Sequence, residues 1–378
     1  MKKTLLVGAL TGVFATMAHA QSSVTLYGLI DAGITYTNNQ GGHANWQQSS
    51  GTINGSRWGI RGSEDLGGGL KAIFVLENGF KINDGSLGQG SREFGRQAFV
   101  GLASDQFGSV TLGRQYDSVV DYLAPLSATG TQYGGTQFAH PFDNDNLNNT
   151  FRVNNAVKFS SANYAGLKFG GLYSFSNTAG QFANNRLYSF GASYNYGGLN
   201  VAAAYLQLDN DNPTTVANAN ASGSVVNDSQ TLMAGRQRTY GAGVNYTFGP
   251  ATAGVVITQT RLSNATQLSA GGVKTSLGGN SVRFTNYEVN GRYMLTPALS
   301  LSAAYTYTAG RIGGQSPNWN QFSLQTDYLL SKRTDVYLSG EFQHVAANGT
   351  GVTAEINNLA ASSNSKQVVV NAGIRHRF

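Results

Sequence analysis

The segment VTLYGLIDAGITY, Val24 to Tyr36, decides the architecture because it alternates. Its even positions (Val24, Leu26, Gly28, Ile30, Ala32, Ile34, Tyr36) are apolar or small, and the odd ones include Thr25, Asp31 and Thr35. On a pleated strand successive side chains point to opposite faces, so the segment has one apolar and one polar face. The last residues do the same: Val368, Val370, Ala372, Ile374, His376 and Phe378 alternate with Val369, Asn371, Gly373, Arg375 and Arg377. Similar runs lie between, such as Tyr240 to Phe248 and Leu299 to Tyr307.

Such runs predict about sixteen strands, starting near residues 23, 53, 69, 92, 108, 152, 166, 186, 198, 237, 250, 282, 298, 319, 333 and 366. Every second connection is tight: Glu64 to Gly69, Ser104 to Gly108, Ser161 to Gly166, Gly197-Gly198, Gly249-Pro250, Thr296-Pro297 and Ser331 to Thr334. The others are long and polar, at 37–52, 116–150, 209–236, 262–281 and 346–365. This asymmetry is that of a 16-stranded antiparallel transmembrane β-barrel with short periplasmic turns and long extracellular loops. Closure is required, because an unpaired backbone N–H or C=O in hydrocarbon costs several kcal/mol. A barrel this wide is not filled by its own side chains, which implies an aqueous lumen. Aromatics on the apolar parity (Phe107, Tyr194, Tyr196, Tyr246, Phe248, Tyr305, Tyr307) fit girdles at the membrane surfaces.

Composition narrows the classes further. Residues 1–20 read as a signal peptide: Lys2 and Lys3, an apolar run from Thr4 to Met17, then Ala18-His19-Ala20. The barrel is then expected over 21–378. There is no cysteine, which excludes disulfides, thiol nucleophiles and Cys-ligated metals. The 25 basic and 19 acidic residues form no block of like charge, so nothing points to nucleic acid. Past the N-terminal run, no apolar stretch of about 18 residues offers a membrane helix. An enzyme is not indicated, since His43, His140, His344 and His376 accompany no G-x-S-x-G element, and no cofactor is expected.

Five blocks resemble the trimeric general-diffusion porins of β-proteobacteria, the Burkholderia and Neisseria type. They are SSVTLYGLIDAGITY (Ser22 to Tyr36), SRWGIRGSEDLGGGLKAIF (Ser56 to Phe74), RQAFVGL (Arg96 to Leu102), VTLGRQYD (Val110 to Asp117) and the terminal GIRHRF. The resemblance implies a homotrimer and a third external loop folded into the pore. It further implies outer-membrane lipid and lipopolysaccharide as surroundings, and small hydrophilic solutes and ions as cargo. Phe378 looks like the terminal signal offered to the barrel-assembly machinery. Arg57, Arg96 and Arg152 look like the wall arginines of the family's constriction.

The residues themselves give a compatible reading. Loop 116–150, the natural constriction loop, is long for a compact connection and carries Asp117, Asp121, Asp143 and Asp145 with no lysine or arginine. Arg57 and Arg61 alternate with Trp58 and Ile60, Arg96 is set opposite Phe99, and Arg152 and Lys158 lie opposite Val153, Val157 and Phe159. A charge facing lipid at midplane costs roughly 2–4 kcal/mol, so these cations are expected to face the lumen. Arg114 shares parity with Val110 and Leu112 and needs a bulge or strand end to turn inward. An acidic loop opposite a basic wall would set up a transverse field. Ser127 to Thr131 lacks the paired acids of enteric relatives, and the mildly basic chain leans toward weak anion preference. Asp143 and Asp145 are read as turn formers rather than metal ligands. A substrate-specific channel and a surface adhesin are the alternatives, separable by saturable block of the current and by loop deletion.

Overall fold

The computed structural model describes residues 22–131, 133–180, 182–210, 231–270 and 273–378. The segment 1–20, read as a signal peptide, lies outside the described residues, as does most of the expected loop at 209–236. Among the described residues seventeen strands form one antiparallel sheet. They are β1 (Ser23–Gln40), β2 (His43–Ser50), β3 (Arg57–Gly67), β4 (Leu70–Gly79), β5 (Gln97–Ser104) and β6 (Gly108–Gln115). After the long loop come β7 (Val153–Ser161), β8 (Leu167–Ser174), β9 (Arg186–Tyr196), β10 (Leu199–Asp209) and β11 (Leu232–Phe248). The last six are β12 (Ala251–Ala270), β13 (Val273–Met294), β14 (Leu299–Ile312), β15 (Asn318–Leu329), β16 (Thr334–Ala346) and β17 (Lys366–Arg377).

Both β2 and β3 pair with the same side of β1, Ala32 opposite Ser50 and Leu29 opposite Arg57. They are one wall position interrupted at residues 51–56, which makes a barrel of sixteen. The other side of β1 pairs with β17, from Leu29 opposite Arg377 to Thr37 opposite Val369, and so closes the cylinder. Phe378 continues this seam: Gly28 N–H donates to its carbonyl at 3.0 Å, and its N–H donates to Gly28 O at 3.1 Å. Its ring lies over Gly28, where a Cβ would come within 2.3 Å of the ring edge.

Burial is inverted relative to a water-soluble protein. Ile34 and Val100 are each 60% exposed, while Asp31, Glu288, Gln343 and Gln367 are fully buried. Apolar side chains therefore clad the outside, and polar ones turn inward where the ladder and one another satisfy them. All the expected girdle aromatics are exposed. The seven tight turns fall where the alternation stops.

Several connections differ from expectation. Residues 37–52 are largely a hairpin, β1 turning at Gly41-Gly42 into β2. Residues 262–270 and 273–281 extend β12 and β13 rather than forming a loop. Their polar residues hid the strands because beyond the bilayer neither face needs to be apolar. Likewise β3 and β5 begin at Arg57 and Gln97, later than expected, since 51–56 and 80–96 leave the ladder.

The interruption at 51–56 has a local cause. The buried Asp31 carboxylate accepts hydrogen bonds from the N–H groups of Ile53 (2.9 Å) and Asn54 (2.8 Å) and from Tyr337 Oη (2.6 Å). It holds backbone that has left the ladder, which must be paired elsewhere.

Candidate functional site

Residues 116–152 cross to the far inner wall. Val119–Leu123 forms one π-helical turn, followed by short 3-10 turns at Ala124–Leu126, Thr136–Phe138 and Pro141–Asp143. Val119, Leu123, Leu126 and Leu147 are buried against Leu187 of β9 and Ala202, Ala204 and Leu206 of β10. Burying each larger apolar side chain is worth about 1.5–3 kcal/mol, so this seat carries much of the loop's attachment. The Tyr122 ring fits over glycines: a Cβ on Gly191 would lie 2.7 Å from it, and one on Gly170 2.5 Å from its hydroxyl.

Polar clamps fasten the rest. His140 is fully buried, with Nδ1 2.7 Å from Asp145 and Nε2 3.0 Å from Glu288 on β13. Ala128 N–H donates to the same Glu288 at 2.8 Å. Asn286 Nδ2 donates to Asn144 Oδ1 at 3.0 Å and to Asp145 at 3.1 Å. Gln321 of β15 donates to Ala139 O, and Asn371 of β17 to Gln137 Oε1. The loop also meets the segment 51–56 and the connection between β16 and β17: Thr136 N–H donates to Thr52 O, and Asn357 Nδ2 to Thr136 O.

The four loop aspartates are consumed by this fastening, which corrects the expectation of an acidic face. Asp117 is buried and accepts from Val119 N–H and from Asn146 Nδ2. Burial pushes its carboxyl up to about 6. Asp143 accepts from the N–H groups of Asn148 and Thr150, and burial, with Asp145 nearby, pushes it up to about 6. Asp145 serves the clamp; although burial opposes its charge, His140 and the Thr258 hydroxyl hold it below the ordinary carboxylate range. Asp121 pairs with Lys158 of β7. Burial nonetheless raises its carboxyl, with Lys158 opposing.

The cations divide in the same way. Arg57 and Arg152 line a gap of about 540 Å³ between the loop and the wall, together with Arg96 and Lys81. The loop side of that gap is neutral, Val120, Pro125, Thr129, Gly130 and Asn148 among its residues, and no carboxylate among the described residues lines it. Arg57 Nε donates to Gly55 O and one Arg152 amine to Thr150 O. Arg96 is buried in a cluster with Glu77 (2.6 Å) and the Tyr116 hydroxyl (2.9 Å), while Tyr27 also donates to Glu77. Lys158 joins the base of the loop instead, donating to Tyr116 O and pairing with Asp121. Arg61 is exposed and lies over the Tyr27 ring at 5.3 Å, away from the gap. Arg114 is buried beside Gly95 O and Asn154, off the gap, next to a register break between Gly113 and Gln115. The bulge that its parity required is present.

Arg96 and Val153 depart from the expected parity. Val100 and Leu102 are exposed, so Arg96 shares the lipid-facing parity. It escapes because it stands one residue before β5 begins. Val153 is fully buried with the loop's apolar seat, not on the lipid side, because of the irregularity at Asn155 (φ 53°). Lys81, Glu77 and Tyr116 were missed, since two of them lie off the strands and Glu77 has no sequence neighbour that marks it. The seat itself left a signal: VAAAYL, Val201 to Leu206, is apolar on both parities, which a purely aqueous lumen face would not need.

A closed barrel clad in apolar side chains, with a loop strapped across its polar interior beside a cationic gap, defines a membrane channel. Comparison with known proteins places it more closely. Residues 5–348 match the Gram-negative porin family, and the chain belongs to that family. An outer membrane porin protein of Bordetella pertussis is 32% identical over the full length of both chains, and outer membrane porin protein 32 of Delftia acidovorans is 29% identical, again over both full lengths. Among solved structures, the anion-selective porin from Comamonas acidovorans superposes with a TM-score of 0.73 over 95% of this chain and 100% of that one, at 23% identity. OmpT of Vibrio cholerae in its trimer form gives a TM-score of 0.65 at 16% identity, covering 94% of this chain and 99% of that one. The protein is an outer-membrane porin, a channel rather than an enzyme.

Proposed function

We propose that solutes pass the gap between loop 116–152 and the wall bearing Arg57, Arg96 and Arg152, and that this gap favours anions. The observation that carries the reading is the lining of the gap, four cations and no carboxylate among the described residues. A cationic constriction with low-dielectric walls concentrates anions and repels cations, more so at low ionic strength. The field is then set by cations alone rather than by a loop–wall pair of opposite sign. Asp117, Asp121, Asp143 and Asp145 hold the loop in position; Arg57 and Arg152 meet the solute; Arg96 with Glu77 supports them. Arg61, Arg114 and Lys158 act in support of the wall and the loop base.

The long loops face outside and the short turns the periplasm, as in outer-membrane barrels generally. A homotrimer is supported by the trimer form of the Vibrio relative. Phe378, on the closing seam over Gly28, fits a role as the strand end read by the assembly machinery, and the girdle aromatics suit lipid and lipopolysaccharide contact. Liposome swelling tests the diffusion reading. Influx of uncharged sugars should fall smoothly with size, and gluconate should enter faster than a cation of equal size. A saturable preference for one sugar would instead favour a substrate-specific channel.

A further inference from the structure

A second compartment lies on the other side of the loop. Its volume is about 350 Å³, and it shares Pro125 and Gly130 with the first gap. Its wall residues come from the short-turn ends of the strands: Arg292 stands two residues before the end of β13, and Thr247 and Thr252 flank the Gly249-Pro250 turn. The loop therefore separates a cationic gap on the long-loop side from this compartment on the short-turn side.

Among the described residues, the Arg292 guanidinium and the Ser302 hydroxyl facing this space are not spent on hydrogen bonds within the fold. Asn290 Nδ2 donates to Leu126 O and Asn245 Oδ1 accepts from Asn200, leaving one polar end of each amide toward the space. Arg292 lies with its guanidinium 3.7 Å from the centre of the Tyr133 ring, at the loop tip, and hydrogen-bonds no other described residue. Stacking covers one face of the guanidinium and leaves its N–H edges available. Ser302 is directly opposite Arg292 in the ladder, and its buried hydroxyl has no partner among the described residues. A buried hydroxyl without a partner is costly and calls for a guest that supplies one. Asn245 and Asn290 line the space from either side of Gly254, where a Cβ would lie 2.9 Å from Asn245 Cβ and 3.1 Å from Asn290 Oδ1. That glycine keeps the space between the two amides open. No carboxylate among the described residues lines the compartment.

We infer that this compartment is a solute station for small hydroxylated carboxylates, with Arg292 taking the carboxylate and Ser302 and the amides taking hydroxyls. The inference rests on the pore reading and adds a binding step after the constriction. Arg292 offers a planar fork that matches a carboxylate, and the neutral hydrogen-bonding groups add selectivity for a polyhydroxylated body. Residence must be short, because a conducting path has to release what it binds.

The test uses the intact porin in planar bilayers, with gluconate, acetate and glucose as probes of charge and hydroxyl content. Gluconate should interrupt the wild-type current with dwells longer than those of acetate, glucose should not interrupt it, and the association rate should be higher from the short-turn side. Arg292→Gln should shorten the gluconate dwell about tenfold, as loss of a charged hydrogen bond implies. Ser302→Ala should shorten it by less and report the hydroxyl contribution with minimal change of fold. Unaltered dwells in R292Q, equal block by glucose, or no gluconate block of a conducting wild-type channel would each overturn the station. Absence of any conductance would instead refute the pore on which it rests.

Discussion

Replacing His140 by glutamine removes the cation from a clamp in which two carboxylates converge on it from opposite sides, Asp145 at 2.7 Å and Glu288 at 3.0 Å. All three side chains are fully buried. Burial opposes the imidazolium, yet Asp145 and Glu288 outweigh it and push His140 up from 6.5 to about 10. At neutral pH the wild-type clamp is a cation between carboxylates, and H140Q leaves those carboxylates facing each other. Removing one partner of a buried charge pair costs about 3–5 kcal/mol, which corresponds to at least about a hundredfold rise in the population of the unclamped loop. The loop does not leave the lumen, because the apolar seat and the bonds from Asn286 and Gln321 remain. Single-channel recording should therefore show excess open-channel noise and frequent brief closures, and the thermal transition should fall by several degrees. The double variant H140Q/E288Q, which also removes the stranded carboxylate, should recover much of both.

The pH dependence has a definite sign. A histidine raised on folding stabilises fully below its unfolded value of 6.5, and the contribution is lost as pH rises through about 10. Asp145, lowered on folding, contributes above its unfolded value of 3.8 and loses that contribution as pH falls below it. The clamp should hold between these limits, with wild-type noise growing toward pH 10. Quiet H140Q channels with an unchanged melt, or a double variant no better than the single one, would refute the clamp.

Two further outcomes follow from the geometry. Gly191→Leu places a side chain where the Tyr122 ring sits 2.7 Å from a notional Cβ; overpacking there costs about 1–3 kcal/mol or more, and the variant should give unstable conductance while keeping the strand content seen by circular dichroism. Neutralising Arg57 and Arg152 together removes two of the four cations of the gap and should move the reversal potential toward zero in a salt gradient, most visibly at low ionic strength; an unmoved potential would place selectivity elsewhere.

The wall was legible in the sequence because lipid imposes a rule on every second residue. Ile34, Val100 and Ile374 had to be apolar, and Asp31, Asn371 and Arg375 could be read as inward from parity alone. Register, closure and the seven tight turns follow from that rule. It lapses where lipid does not enforce it: the polar ends of β12 and β13 read as loop, and Arg96 and Val153 broke parity at a strand start and a bulge. The loop was identifiable by length and its aspartates by type, but their partners were not. Whether Asp143 faces water or the N–H groups of Asn148 and Thr150 depends on left-handed turns at Phe142 and Asp143, where the Phe142 ring packs against Phe284 of β13 and Trp319 of β15, distant in sequence. The mild excess of basic residues pointed toward anions, while the acidic-loop argument pointed toward a two-signed field. The site has basic residues on one side and neutral groups on the other.

The claim under all of this is a water-filled passage whose narrowest part carries positive charge. Purified porin in a planar bilayer, with a tenfold KCl gradient across it, tests both parts in one recording. Uniform conductance steps with a reversal potential of the sign that marks chloride as the faster ion are expected. A silent membrane would contradict the passage, and a potential of the opposite sign would contradict the charge assigned to the gap.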